Sequence, residues 1–180
     1  NGTLSIQDKA ILQTKNLTIN GGAQLTLQDG TCEMLAGGAL LFKENSIVSA
    51  SGCNTLSAQT ITFEENSTFS LTLGEINKDN ALISLSTSNV SFTLGTIDFI
   101  GIDGLSEGKY LIFSLTESQL SSMNWDTSGL TVKGLSEGDS FVWNESRTAL
   151  YLNHQVVPEP TTATLSLLAL AALAARRRRK

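Results

Sequence analysis

The sequence predicts an all-β fold: a parallel β-helix or solenoid-like stack of short strands with an irregular β cap, followed by a C-terminal hydrophobic helix. Three observations carry that expectation. Residues 1–157 contain no proline but are dense in Gly, Asn, Ser and Thr between short apolar runs, the punctuation of many short strands. In Phe69-Ser-Leu-Thr-Leu73 and Val90-Ser-Phe-Thr-Leu94, apolar and hydroxyl residues alternate with period two, so one face meets a core and the other meets water. Asp29-Gly-Thr-Cys32 and Ala50-Ser-Gly-Cys53 lie 21 positions apart, about one coil of a β-solenoid.

Taken along the chain, strands are expected at 4–6, 17–19, 24–27, 39–42, 46–49, 60–63, 68–73, 81–85, 90–94 and 97–100. Four more follow at 109–115, 130–133, 140–143 and 149–153. Leu17-Thr-Ile-Asn-Gly-Gly-Ala-Gln-Leu-Thr-Leu27 reads as strand, glycine turn, strand, and Gly37-Gly-Ala-Leu-Leu-Phe42 echoes it. One segment argues for helix. Thr116-Glu-Ser-Gln119 fits a capping box with Leu120 and Met123 behind it, which predicts a turn or two of helix over 117–123. Gly104-Leu-Ser-Glu-Gly108 recurs verbatim as Gly134-Leu-Ser-Glu-Gly138, and glycine at both ends reads as one tight turn used twice rather than a ligand loop.

These patterns divide the chain into solenoid-like repeats over 1–103, a β-rich cap continuous with them over 104–156, and a tail over 157–180. In a stack, equivalent residues of successive coils lie roughly 4.8 Å apart, which would bring Cys32 and Cys53 close enough to bridge. The two cysteines are therefore a candidate disulfide. The alternative reading is two unpaired thiols in apolar surroundings, and the spacing is not that of a zinc or thioredoxin-like site.

The net charge of −5 conceals an asymmetry. Five of the twelve Lys and Arg stand at 176–180 and one of the seventeen acids is Glu159, leaving residues 1–157 with seven basic and sixteen acidic side chains, a net of −9. Such a body lacks the clustered cations that bind nucleic acid, so no nucleic-acid partner is expected. The sequence opens at Asn1 without Met or the sections of a secretory signal, so any such signal is expected to have been removed or to lie outside it.

The tail reads differently. Residues 161–175 carry no charge and would span about 22 Å as a helix, against about 30 Å of bilayer hydrocarbon. Five leucines there favour insertion by roughly half a kcal/mol each, and the side chains of Arg176, Arg177, Arg178, Arg179 and Lys180 extend the reach by snorkelling. The same basic cluster stays cytoplasmic and places residues 1–157 across the membrane. Upstream, Pro158 and Pro160 bar helix interior and strand ladder alike, so Val157-Pro-Glu-Pro160 is expected to be extended and accessible to a processing enzyme.

Val157, Pro158, Glu159 and Pro160, then the apolar segment, then the arginine cluster, resemble a PEP-CTERM sorting signal. The resemblance covers about 24 residues in the family's order. It implies export, membrane insertion through the tail, and removal of the tail near Pro-Glu-Pro by an exosortase, a membrane-embedded cysteine protease. It also implies delivery to the cell surface or extracellular matrix of a Gram-negative bacterium, often alongside exopolysaccharide. The family is often rich in Asn-x-Ser/Thr, which occurs here at Asn1, Asn16, Asn66, Asn89 and Asn144, although this composition produces such triplets by chance. The body is similar, by pattern alone, to the Gly/Asn/Thr-rich strand repeats of autotransporter passengers and adhesin-like surface proteins. That similarity implies a β-solenoid and identifies no functional residue.

No enzyme is expected, and no cofactor or metal. His154 is the only imidazole for a nucleophilic triad and stands near the tail, where it reads as a surface or fold-closing residue rather than a catalytic one. Carboxylates Glu64, Glu65, Asp98 and Asp103 read as solvated acids; a glycosidase would need at least two meeting in one groove. Outside the tail there is one arginine, Arg147, where β-helix polysaccharide lyases usually use a basic residue and often calcium. Trp125, Trp143, Tyr110 and Tyr151 form the basis of the alternative function, a carbohydrate-binding module with exposed coplanar rings, against the default of burial in the core. The expected role is structural or adhesive, with surface glycans as partners of the body.

Overall fold

The computed structural model describes residues 2–115, 122–126 and 130–156. Among them, strands build two sheets of mostly parallel pairing. Along the chain these are β1 (Thr3–Gln7), β2 (Ile11–Thr14), β3 (Leu17–Ile19), β4 (Gln24–Gln28), β5 (Thr31–Met34), β6 (Ala39–Phe42), β7 (Ile47–Ser51) and β8 (Asn54–Ser57). There follow β9 (Thr60–Thr72), β10 (Ile83–Ser86), β11 (Asn89–Ile100), β12 (Gly108–Leu115), β13 (Ser122–Asp126), β14 (Thr131–Lys133), β15 (Ser140–Trp143) and β16 (Ala149–His154).

Pairing recurs with a step close to one winding of chain. In the first sheet Leu4 pairs with Leu25, Leu25 with Val48, Val48 with Phe69, Phe69 with Ile97, and Ile97 with Val132. A second column of the same sheet runs Ile19, Phe42, Phe63, Phe92, Trp125. The other sheet stacks Leu12, Cys32, Leu56, Leu85 and Leu115. There β12 pairs with β16 in antiparallel sense, and β16 with β15. The steps lengthen after β9 because residues 73–82, including a 3₁₀ turn at Glu75–Lys78, replace the two-residue links that precede β5 and β8. A second 3₁₀ turn, Ile102–Gly104, lengthens the next link.

Equivalent side chains stack because the register keeps like beneath like. Phe63 lies between Phe42 and Phe92, with centroid separations of 4.6 and 4.9 Å and interplanar angles of 9° and 6°. These separations match the inter-strand spacing of a sheet. All three rings are buried, and Phe69 meets Phe63 edge-on at 4.8 Å. At the corners of the coils the chain turns through left-handed residues, Asp8, Asp29 and Gly52 at equivalent positions of successive coils and Gly22, Asn45 and Asn66 at another set. Asn and Asp tolerate that conformation better than other residues with a Cβ. Asn54 fastens three coils internally: its Oδ1 accepts the Gly30 N–H at 2.9 Å, and its Nδ2 donates to the Ser51 and Leu82 carbonyls at 2.8 and 3.1 Å.

Several expectations need correction. The strands β2, β5 and β8, three members of one sheet, were not among those anticipated. The expected pairs 60–63 with 68–73, and 90–94 with 97–100, are continuous strands that bend at a corner, β9 through left-handed Asn66 and β11 past Gly95. A Cβ on Gly95 would lie 2.5 Å from the Asn66 Cα, so only glycine lets the two corners approach. Of the helix anticipated over 117–123, Ser122 and Met123 belong to strand β13 and the remainder lies outside the described residues.

The stacking expected to join the cysteines does not occur. Cys32 occupies the leucine column, pairing with Leu12 and Leu56, whereas Cys53 sits in the turn before β8, and both thiols are free. Twenty-one positions is the step from β1 to β4, but the next winding is longer, 23 from β4 to β7 and 24 from β5 to β8, which displaces Cys53 from the Cys32 column.

Candidate functional site

The residues with the sharpest functional expectation, Val157, Pro158, Glu159, Pro160 and the cluster from Arg176 to Lys180, lie outside the described residues, as does the expected helix 161–175. Among the described residues no helix is long and apolar enough to cross a membrane. The structure does define the place from which the tail departs. β16 is a central strand held by β12 and β15, ending where His154 pairs with Gly108. Beyond it the Gln155 N–H donates to Asp139 Oδ1 at 2.9 Å, and His154 Nδ1 lies 3.0 Å from the same oxygen. The Asp139 Oδ2 accepts the Ser136 N–H at 2.9 Å. The His154 and Asp139 side chains are 3% and 0% exposed, so of the two roles expected for the sole imidazole, surface or fold-closing, the second holds.

A second polar cluster joins the two long links. Glu75 accepts from the Ser106 N–H at 2.8 Å and the Ser106 hydroxyl at 2.9 Å, and lies 2.9 Å from both Lys78 Nζ and the hydroxyl of buried Tyr110. The Ser106 amide, followed by Lys78, Tyr110 and the Ser106 hydroxyl, pulls the Glu75 carboxyl down to about 2, and Glu75 in turn raises the Lys78 ammonium. Ser106 belongs to the first Gly-Leu-Ser-Glu-Gly copy. In the second, Ser136 Oγ donates to Asp103 Oδ1 at 3.0 Å. Each copy therefore uses its serine to grip a carboxylate of the preceding link, but the turn itself is not repeated: Gly104 closes a 3₁₀ turn and Gly108 opens β12, whereas Gly134 and Gly138 are both left-handed.

Two grooves mark the surface of the described residues. One of about 310 Å³ is lined by Glu44, Thr62, Phe63, Glu64, Glu65 and Thr93. Three of its lining residues are carboxylates, and Glu44 is not among the acids the sequence singles out. Lys43 at 3.1 Å and the Glu44 N–H at 3.2 Å engage Glu64 and push its carboxyl down, whereas a general acid needs its carboxyl pushed up. Among the described residues no group of three or more His, Cys, Asp or Glu is placed to hold a metal ion. Another groove, of about 600 Å³, runs across three coils past Leu35, Gly37, Ser57, Gln59, Thr87 and Ser88.

The anticipated aromatic platform is not assembled by Tyr110, Trp143 and Tyr151. Tyr110 is buried with its hydroxyl on Glu75 and on the Ser106 carbonyl at 2.7 Å. Trp143 pairs with buried Leu150, and Tyr151 with exposed Val142, so alternation puts the two rings on opposite faces of the hairpin. Asp98 pairs with Lys133 across parallel strands, and Asp103 is held by Ser136.

With the body ending at a buried latch and the chain continuing into Pro-Glu-Pro, comparison with known families bears directly on residues 156–180. They match the PEP-CTERM protein-sorting motif. The PEP-CTERM motif implies processing by an exosortase and sorting of an exported protein toward the cell surface in Gram-negative bacteria. The match begins one residue after Gln155, the last residue held by Asp139. No curated protein and no solved structure matches the chain, so the body takes no identity from a relative.

Proposed function

We propose that this chain is the precursor of a surface or extracellular-matrix protein in which the PEP-CTERM segment is the address and the β body is the cargo. The match over 156–180 carries the proposal, and its start beside the last anchored residue supports removal of the tail without damage to the body. The hydrophobic segment 161–175 would stop in the inner membrane as a helix, with Arg176 to Lys180 on the cytoplasmic side, until an exosortase-type protease acts near Val157 to Pro160. A solenoid-like body, regular over 1–103 and capped over 104–156, is supported by recurring parallel registers followed by the antiparallel β12, β16 and β15.

The role of the body is structural or adhesive rather than enzymatic. Several of its polar side chains fasten one coil to the next, as Asn54 and Glu75 illustrate, and Asp139 fastens the end of β16. Exopolysaccharide or other surface glycans are the partners proposed for it. Fractionation of host cells tests the address: the body should reach the surface or medium when exosortase is present and remain with the inner membrane when it is absent. Equal distribution in both strains would overturn the proposal.

A further inference from the structure

The body does not fade into its tail; it stops at a buried latch. Asp139 contributes a carboxylate whose side chain is 0% exposed and meets three donors: the Ser136 N–H, His154 Nδ1 and the Gln155 N–H. A buried carboxylate is costly unless its hydrogen bonds are met, so this arrangement resists rearrangement. Two of the three donors belong to the stem from which residues 156–180 depart.

The two loop copies show what the latch adds. In Gly104-Leu-Ser-Glu-Gly108, the Ser106 N–H is satisfied by Glu75 from the preceding link, and the residue after the copy is Lys109. In Gly134-Leu-Ser-Glu-Gly138, the following residue is Asp139, which satisfies the Ser136 N–H from within the loop and then reaches the stem. Gly138, at φ +88°, completes the close approach, since a Cβ there would lie 2.8 Å from Gln155 Oε1. The copies differ in backbone as well: Gly104 closes a 3₁₀ turn and Gly108 opens β12, whereas Gly134 and Gly138 are left-handed and the Asp139 N–H donates to the Ser136 carbonyl at 3.1 Å, so Asp139 closes its own turn and serves the stem besides.

We infer that Asp139 is a positioning residue for processing: the Asp139–His154–Gln155 latch fixes where the folded body ends and thereby which bonds beside Pro-Glu-Pro a protease can reach. The inference rests on the proposed exosortase processing. From Gln155 to Pro158 the chain extends at most about 10 Å, and a protease needs an extended, accessible strand. With the latch closed, bonds before Val156 are held in β16 or against Asp139. With it open, residues of the stem join the accessible segment.

The experiment compares the full chain and its Asp139→Ala, Asp139→Asn and Glu75→Gln variants in an exosortase-containing host, reading the mature C-terminus by intact mass. The wild type should give one mature end. Asp139→Ala should give a several-fold larger share of shorter products ending before residue 157. Asp139→Asn retains an acceptor oxygen and should restore the single end, whereas Glu75→Gln loosens a different fastening and should leave the end unchanged. If Asp139→Ala fails to accumulate, His154→Phe removes the imidazole donor without emptying the site and should produce the same ragged ends. A processed wild type with the same single end in every variant overturns the latch alone. An unprocessed wild type overturns the sorting reading and the latch with it.

Discussion

Individual residues reveal how much of the polar chemistry is structural. Glu75 has a carboxyl held near 2 against an ordinary value of 4.5, mainly by the Ser106 amide. A carboxyl depressed on folding contributes stability above its unfolded value and loses it as pH falls through the folded value. The difference in unfolding stability between the wild type and Glu75→Gln should therefore persist at neutral pH and shrink between about pH 4.5 and about pH 2, as read by urea titration at a series of pH values. Cys32 presents the opposite case, its thiol pushed up to about 11 by burial in the leucine column. The Cys53 thiol is raised by burial and then by the Asp29 charge, but it is only half-buried. A thiol reagent at neutral pH should label Cys53 before Cys32, and denatured, non-reduced protein should titrate two thiols; none would establish a disulfide. The cysteine spacing matches the step from β1 to β4, but windings differ in length, and the one that starts at Cys32 takes 24 residues to reach Leu56.

Strands and turns were legible in proportion to their apolar content. FSLTL and VSFTL announce β9 and β11 because alternation buries Phe69, Leu71, Val90 and Phe92. The strands β2, β5 and β8 read ILQT, TCEM and NTLS, each too short and polar to display a period, and they form because neighbouring coils supply their partners. Of the helix expected at 117–123, only Ser122 and Met123 fall among the described residues, and there pairing with β11 overrides the local preference. The phenylalanine column also joins elements far apart in sequence. Phe63→Ala removes the middle ring of the stack, and the cavity should cost about 3–5 kcal/mol, measured by denaturant unfolding. A cost below about 1 kcal/mol would mean that the three coils do not share that core.

At the scale of the whole molecule, an acidic body and a basic tail serve different ends. Residues 1–157 carry a net of −9, and Glu159 with the five terminal cations brings the chain to −5. The tail was legible because its signal is linear: proline placement, apolar length and terminal charge need no tertiary context, and the match over 156–180 agrees with them. The carboxylate groove and the latch were not, since Glu44 joins Glu64, and Asp139 joins His154, only through the fold. The most direct test is the intact mass of the protein recovered from the envelope and medium of host cells with and without exosortase. The account predicts that exosortase-containing cells yield a body lacking Arg176 to Lys180, while cells without it retain the full chain. Full-length protein in both would contradict it.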